Sequence, residues 1–270
     1  IKISQIVDNH TVRAGVKHHQ QFDYVFAEAG DKVNFVHSET LLPIGFGTIK
    51  EVRYINERLS EYVFEDPIPS EIKVDDAIDN VTWYPETIFR NNIVRNNRAR
   101  SILISTRNKT IIENNYFSSM MTSILFEGDL DHWYESGSVD DVLIRNNTFG
   151  DNVYGGNQGS VIWINPRMKR TDPQRPYEKN IRIENNLFKT FDSSILSAKS
   201  VDGLVFKNNT IIQTKTYKPI QPHLPTIELK DCLNAVIESN TYQGDKKATI
   251  VVNNNSQNGL KLDKKQKGFK

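Results

Sequence analysis

The chain has 270 residues, enough for one large core or two smaller ones, and 34 basic residues stand against 33 acidic ones. That balance offers no field for nucleic acid or an anionic membrane, and no apolar run approaches the ~18 residues of a membrane span. A single cysteine, Cys232, excludes an intramolecular disulfide, and no cofactor motif is present, so none is expected. The chain opens at Ile1, without Met or a signal-peptide pattern, which suggests a processed piece or a fragment.

Residues 1–79 read as a small antiparallel β-barrel-like domain. The runs 10–18, 32–38, 47–55 and 61–69 alternate apolar and polar residues, and turn-rich segments such as Glu28-Ala29-Gly30-Asp31 separate them. Strands at this spacing suit a small barrel or sandwich. Pro67 and Pro69 mark the exit, and IKVDDAIDNVTW leads onward.

Asparagine then changes the composition. Of 27 Asn residues, 23 lie at or beyond Asn91, which puts a boundary near residue 80. Asn pairs recur in IFRNNIV, IIENNYF, LIRNNTF, IRIENNLF and LVFKNNTI, with VIESNTY as a variant. The first member falls at 91, 114, 146, 185, 208 and then Ser239, in steps of 23, 32, 39, 23 and 31. A second series, SILIS, SILFE, SVIWI, SILSA, TIELK and TIVVN, sits between them. The basic unit is thus about 23 residues with insertions, containing two kinds of short strand.

Such a chain is all-β and predicts a right-handed parallel β-helix over 80–258. A residue repeated in every coil stacks on copies of itself. Asn suits a bend because it tolerates left-handed backbone, and its amide both donates and accepts, so a ladder can form. Phe117, Phe149, Phe188, Ile211 and Tyr242, each two positions beyond a pair, are expected to stack in the core. A helical solenoid fits poorly with β-branched runs and paired Asn. Asn146-Asn147-Thr148 and Asn208-Asn209-Thr210 match a glycosylation pattern, but repeat geometry explains them. The polar segment 259–270 reads as a frayed tail. Unpaired strand edges at the end coils call for a cover: the residues before Val74, a second copy, or a segment beyond this sequence.

Function is sought where the repeat is broken, since insertions in solenoids map to loops. GDLDHWYESGSVDD follows SILFE, two more insertions flank SVIWI at 150–159 and 165–180, and a smaller one spans 213–225. The first is the most loaded, with Asp129, Asp131, His132, Trp133, Tyr134 and Glu135 in seven residues. Rings that stack on sugars beside acids that bind hydroxyls suit a carbohydrate site. Equally, Trp133 caps the core and the acids are merely solvated. The Asp129, Asp131 and His132 spacing matches no metal motif, so no metal is expected.

The ordered motifs NNRARSILIST (96–106), IENN (112–115), GD (128–129), WYESG (133–137) and VLIRNNTF (142–149) resemble glycoside hydrolase family 110. His18-His19-Gln20, Phe26 and Gly30-Asp31-Lys32-Val33 resemble that family's junction between β-helix and inserted barrel. The resemblance runs from about residue 5 to 255. It implies a bacterial exo-α-1,3-galactosidase, of the kind that cleaves terminal galactose from the blood-group B antigen, secreted, periplasmic or at the cell surface. It also implies an inverting mechanism on two carboxylates, with the family's Asp-Asp pair lying before the segment that starts here. Asp75-Asp76 only superficially resembles that pair and takes no role from it. Glu28 is the weak catalytic candidate. His18 and Gln20, followed by Trp133, Glu135 and Asp129, are the expected galactose contacts. Arg98 and Arg100 either pair with carboxylates across the site or ladder between coils. The partner implied is an α-galactosyl glycan, with a homo-oligomer or a missing N-terminal half as further possibilities. The alternative is a β-helix module that binds glycan or acts as a scaffold without chemistry. A polysaccharide lyase fits less well, because no aligned carboxylate and basic set is visible.

Overall fold

The computed structural model describes residues 1–16, 25–131, 133–135, 137–156, 159–263 and 265–270. It divides into two compact units. One comprises Ile1–Tyr84 with Gly128–Gly137 and Arg167–Arg170, and the other Pro85–Glu127, Ser138–Pro166 and Thr171–Lys270.

The first unit is a closed antiparallel barrel. Its strands are β1 (Lys2–Asp8), β2 (Thr11–Gly15), β3 (Lys32–Val36), β4 (Pro43–Asn56), β5 (Leu59–Phe64) and β6 (Ala77–Asn80). They close in the order β1-β2-β5-β4-β3-β6, with Lys2 against Ala77 at the seam. Inward-facing Ile3, Val12, Val33, Phe35, Ile49, Phe64 and Ile78 fill the interior, as a small barrel requires. The sequence reading misses two strands. β1 shows no apolar alternation because it is exposed beyond Ile3. β6 looks like a linker, yet its residues close the sheet. In the Asp75-Asp76 segment, Asp76 is buried and accepts the Ser38 and Lys73 amides at 2.8 and 2.9 Å, while Asp79 accepts the Tyr84 hydroxyl. These acids hold the barrel together.

The second unit is a parallel β-helix. Each full coil makes three strands rather than the two read from sequence, because the Asn pair is itself a bend between two of them. The first sheet runs from Thr87–Arg90 to Lys261–Leu262, the second from Ile93–Asn97 to Thr241–Gln243 and the third from Ile102–Ile104 to Ile250–Val252. Pairing is in register from coil to coil, so Phe117, Phe149, Phe188, Ile211 and Tyr242 align. The rings of Phe117, Phe149 and Phe188 stack at 5.4 and 4.7 Å.

The two members of each pair do different work. Asn91, Asn114, Asn146, Asn185, Asn208 and Ser239 take φ between 54° and 59°, the left-handed turn that Asn tolerates and few other side chains do. The second members point inward as a ladder. Asn147 donates its backbone and side-chain amides to Asn186 Oδ1 at 2.9 and 3.0 Å, and its side chain also donates to the Ile112 carbonyl at 2.9 Å. The same set recurs from Asn186 to Asn209 and from Asn209 to Asn240. Each buried amide therefore satisfies the backbone that the bend would otherwise strand.

The expected frayed tail is instead a cap. Lys261–Leu262 adds the last strand of the first sheet, and Gln266 Oε1 accepts both Asn240 amides at 3.1 and 2.8 Å. Phe269 packs on Tyr242. A glutamine, one methylene longer, ends the ladder by reaching it from a chain segment that no longer coils. The same segment uses Gly259 at φ +70°, where an added Cβ would lie 2.1 Å from Asn234 Oδ1. At the other end Ile88 and Ile93 are exposed on the outermost strands of their sheets.

Two outcomes follow from these buried groups. Asn186→Ala removes one rung and strands the Asn147 amide and the Ile144 carbonyl. It should lower stability by about 3 kcal/mol in urea denaturation followed by Trp163 fluorescence in a Trp83→Phe/Trp133→Phe background. Glu178, buried with its carboxyl accepting the Val139 amide, is pushed up to about 8 by desolvation, against the opposing pull of that bond and of Arg107. Its stabilising contribution is complete below the ordinary value of 4.5 and is lost as pH rises through about 8. Glu178→Gln should therefore flatten the fall in stability between pH 5 and pH 9.

Candidate functional site

The third sheet of the β-helix unit carries a walled cleft. Strands Ile162–Ile164, Leu196–Lys199 and Ile227–Lys230 lie side by side in register. Strand alternation sends Ile162, Ile164, Leu196, Ala198, Ile227 and Leu229 into the core. The intervening residues face outward as a grid, one pair to a strand: Trp163 with Asn165, Ser197 with Lys199, and Glu228 with Lys230. These six form the floor of a cleft of about 420 Å³. Gly159, Ser160 and Ser194 line one part of its wall, and Leu224 and Pro225 another.

The wall is built by the insertions that interrupt the repeat. Asp192 Oδ2 accepts the Ile220 and Gln221 amides at 2.8 and 2.7 Å. Ser193 donates to the Gln221 and Leu224 carbonyls at 3.2 and 3.0 Å. Gln221, itself buried, both accepts from and donates to the Gly159 backbone, at 3.2 and 3.3 Å. The 213–225 and 150–159 insertions are thus tied together, with Leu224 and Pro225 held over the grid.

Within the cleft, Glu228 accepts Lys230 Nζ at 2.9 Å and the Ser197 hydroxyl at 3.3 Å. Lys199 donates to the Pro166 carbonyl at 3.5 Å, and its half-burial holds its ammonium below the usual lysine range. A half-buried indole beside serine hydroxyls, an amide, a carboxylate and two ammonium groups is the equipment of a site for a polar ring. The apolar faces of such a ring stack while its rim takes hydrogen bonds.

The described candidates from the sequence fall in both units. His18 and Gln20 lie outside the described residues. Glu28 is exposed in a turn closed by its backbone bonds with Asp31. Asp129, Trp133 and Glu135 belong to the loop that joins the barrel unit. Asp129 is buried, and its two oxygens accept the Asp131 and Trp133 amides, both at 2.8 Å, which shapes the loop. Asp131 pairs with Lys2, and Tyr134 packs on the barrel core. Trp133 is half exposed and Glu135 partly buried. Arg98 and Arg100 lie in the β-helix unit, on the bend before Ile102–Ile104, exposed and partly buried. Neither arginine is among the residues that line the cleft. Among the described residues no three His, Cys, Asp or Glu side chains gather as a metal would need.

The sequence reading passes over the cleft residues because SVIWI, SILSA and TIELK look like plain rungs. A signal was nonetheless present: three of the four insertions flank these rungs, and their outward positions are Trp, Asn, Ser, Lys and Glu.

Comparison with known proteins places both units. Residues 11–78 match the family described as GLAA-B beta-barrel domain II, and residues 132–265 match the right handed beta helix region, which supplies the hand of the coil. An alpha-1,3-galactosidase A from Bacteroides fragilis is 39% identical over 242 residues, 88% of this chain and 40% of that protein. Alpha-1,3-galactosidase B proteins from Akkermansia muciniphila and Phocaeicola vulgatus are each 38% identical, over 88% and 90% of this chain and 30% and 43% of theirs. The chain is a relative of the α-1,3-galactosidases. It spans less than half the length of each of these three relatives. Their named activity is the one that the motifs between residues 96 and 149 imply by their resemblance to glycoside hydrolase family 110.

The clamp on the cleft wall predicts its own test. Asp192→Ala removes the acceptors for Ile220 and Gln221, so the 213–225 segment should open more often. Tryptic cleavage after Lys215 should rise about 10-fold in native protein, read by mass spectrometry.

Proposed function

We propose that this protein is a glycoside hydrolase that removes terminal α-1,3-linked galactose from glycans, and that the Trp163 cleft is its sugar-binding surface. One observation supports this most directly. In a chain related to α-1,3-galactosidases, an outward Trp on the third sheet is framed by Ser197, Asn165 and Glu228 at the bottom of a walled cleft.

The chemistry of the cleft divides into binding and catalysis. Trp163 stacks against the less polar face of a galactose ring. Glu228, paired with Lys230, accepts sugar hydroxyls, while Asn165 and Ser197 donate and accept at the rim. Inversion at the anomeric carbon needs two carboxyls about 6.5–9.5 Å apart, one protonated to assist the leaving oxygen and one ionised to activate water. Among the described residues that line the cleft, Glu228 is the one carboxylate, and it is proposed as one of the two. The remaining acid is proposed to come from a part of the protein corresponding to the length of the relatives that the match leaves uncovered. With glycans of this kind as substrate, we propose a bacterial protein that works outside the cytoplasm, secreted, periplasmic or on the cell surface. The solitary carboxylate also gives substance to a second reading, in which this chain binds the glycan without cleaving it.

The two readings part on one pair of measurements with an α-1,3-linked galactobiose: binding by calorimetry and galactose release. Binding together with release supports the hydrolase. Binding without release, in both this chain and a longer natural protein containing it, leaves the binding module. Absence of binding removes both. Trp163→Ala should weaken binding about 30-fold, the usual loss for a buried aromatic contact.

A further inference from the structure

The floor of the cleft carries an unbalanced positive charge. Lys199 and Lys230 are register partners on neighbouring parallel strands. Like charges set directly opposite each other in a sheet repel and cost stability, so such a pair is an arrangement that needs a reason. Only one of the two is compensated at short range. Lys230 takes the Glu228 carboxylate at 2.9 Å, and the same carboxylate accepts the Ser197 hydroxyl.

Lys199 makes no ion pair among the described residues. Its hydrogen bond to the Pro166 carbonyl is long, at 3.5 Å. Asp231, which favours the ammonium electrostatically, makes no ion pair with it and is already engaged by the Asn253 and Asn255 side-chain amides at 3.0 and 2.7 Å. Desolvation and the Lys230 charge both push the Lys199 pKa down, so holding the ammonium here costs energy that an anion would return. Along the grid, the Trp163 ring is one strand away from Ser197 and Lys199.

We propose that the cleft takes a sugar bearing an anionic substituent, a sulfate ester or a uronate carboxylate, with the ring on Trp163 and the charge on Lys199. The inference rests on the glycan reading and narrows its substrate class. The aromatic floor is what makes the ligand a saccharide rather than a bare ion. The spare ammonium is what makes the saccharide acidic.

Calorimetry on the whole chain with galactose, galactose 6-sulfate, galacturonic acid and sodium sulfate tests it. At least one charged sugar should bind about 10-fold tighter than galactose, and the one that gains tells sulfate from carboxylate. Lys199→Met should bring the ratio of the two affinities to about one, while Lys199→Arg, which keeps the charge, should retain the preference. Raising salt from about 50 to 500 mM should shrink it. Galactose binding with no gain for either charged sugar overturns the inference and leaves the glycan reading standing. A gain that survives in Lys199→Met also overturns it, as does sodium sulfate binding as tightly as the sulfated sugar. If no sugar binds, the glycan reading and the inference fall together.

Discussion

The hydrogen bond from one asparagine side chain to the next is the constraint on which the β-helix depends. Asn115, Asn147, Asn186, Asn209 and Asn240 are buried, and each lends its side-chain carbonyl to two amides of a neighbouring coil and its side-chain N–H to a strand carbonyl. A sharp bend leaves backbone groups that no strand can pair. In an apolar interior such groups cost more than most packing contacts return. By supplying those partners at every coil, the ladder permits a bend sharp enough to leave room inside for Phe117, Phe149 and Phe188 to stack.

Once the bends are locked, the register of everything else is set. Strand pairing then places the same alternation on each rung, and an outward residue in one coil has an outward neighbour in the next. This lets Trp163, Ser197 and Glu228, separated by 34 and 31 positions in the chain, stand in one row. The insertions between rungs do not disturb that row, because they leave and rejoin the coil at its bends. They are free to build walls, and the Asp192, Ser193 and Gln221 bonds show how a wall is fastened.

The barrel follows a different logic. It is closed by pairing across its seam and stiffened by buried acids such as Asp76 that accept loop amides. Asp129 of the 128–137 loop behaves similarly, turned to its own backbone. An acid-rich loop beside tryptophan reads as a binding site on composition alone, whereas burial shows that part of that acidity is spent on folding. The cleft presents the opposite case: its residues are ordinary in sequence and become notable by adjacency.

The sequence by itself determined the coil. Asn pairs, the Phe series and the Ser/Thr-Ile runs repeat because stacking demands identity at equivalent positions, so the architecture was legible from spacing. It also marked the breaks at 128–141, 150–159, 165–180 and 213–225, since an insertion is visible against a regular unit. Three matters were left to the tertiary structure. The third strand of each coil was hidden because the Asn bend divides one apolar run into two short strands. The tail became a cap because Gln266 meets Asn240 only when the chain folds back over the last coil. The cleft emerged only when rungs of unequal loop length were laid in register, because lateral neighbours in a solenoid are chosen by pairing between coils and not by distance along the chain.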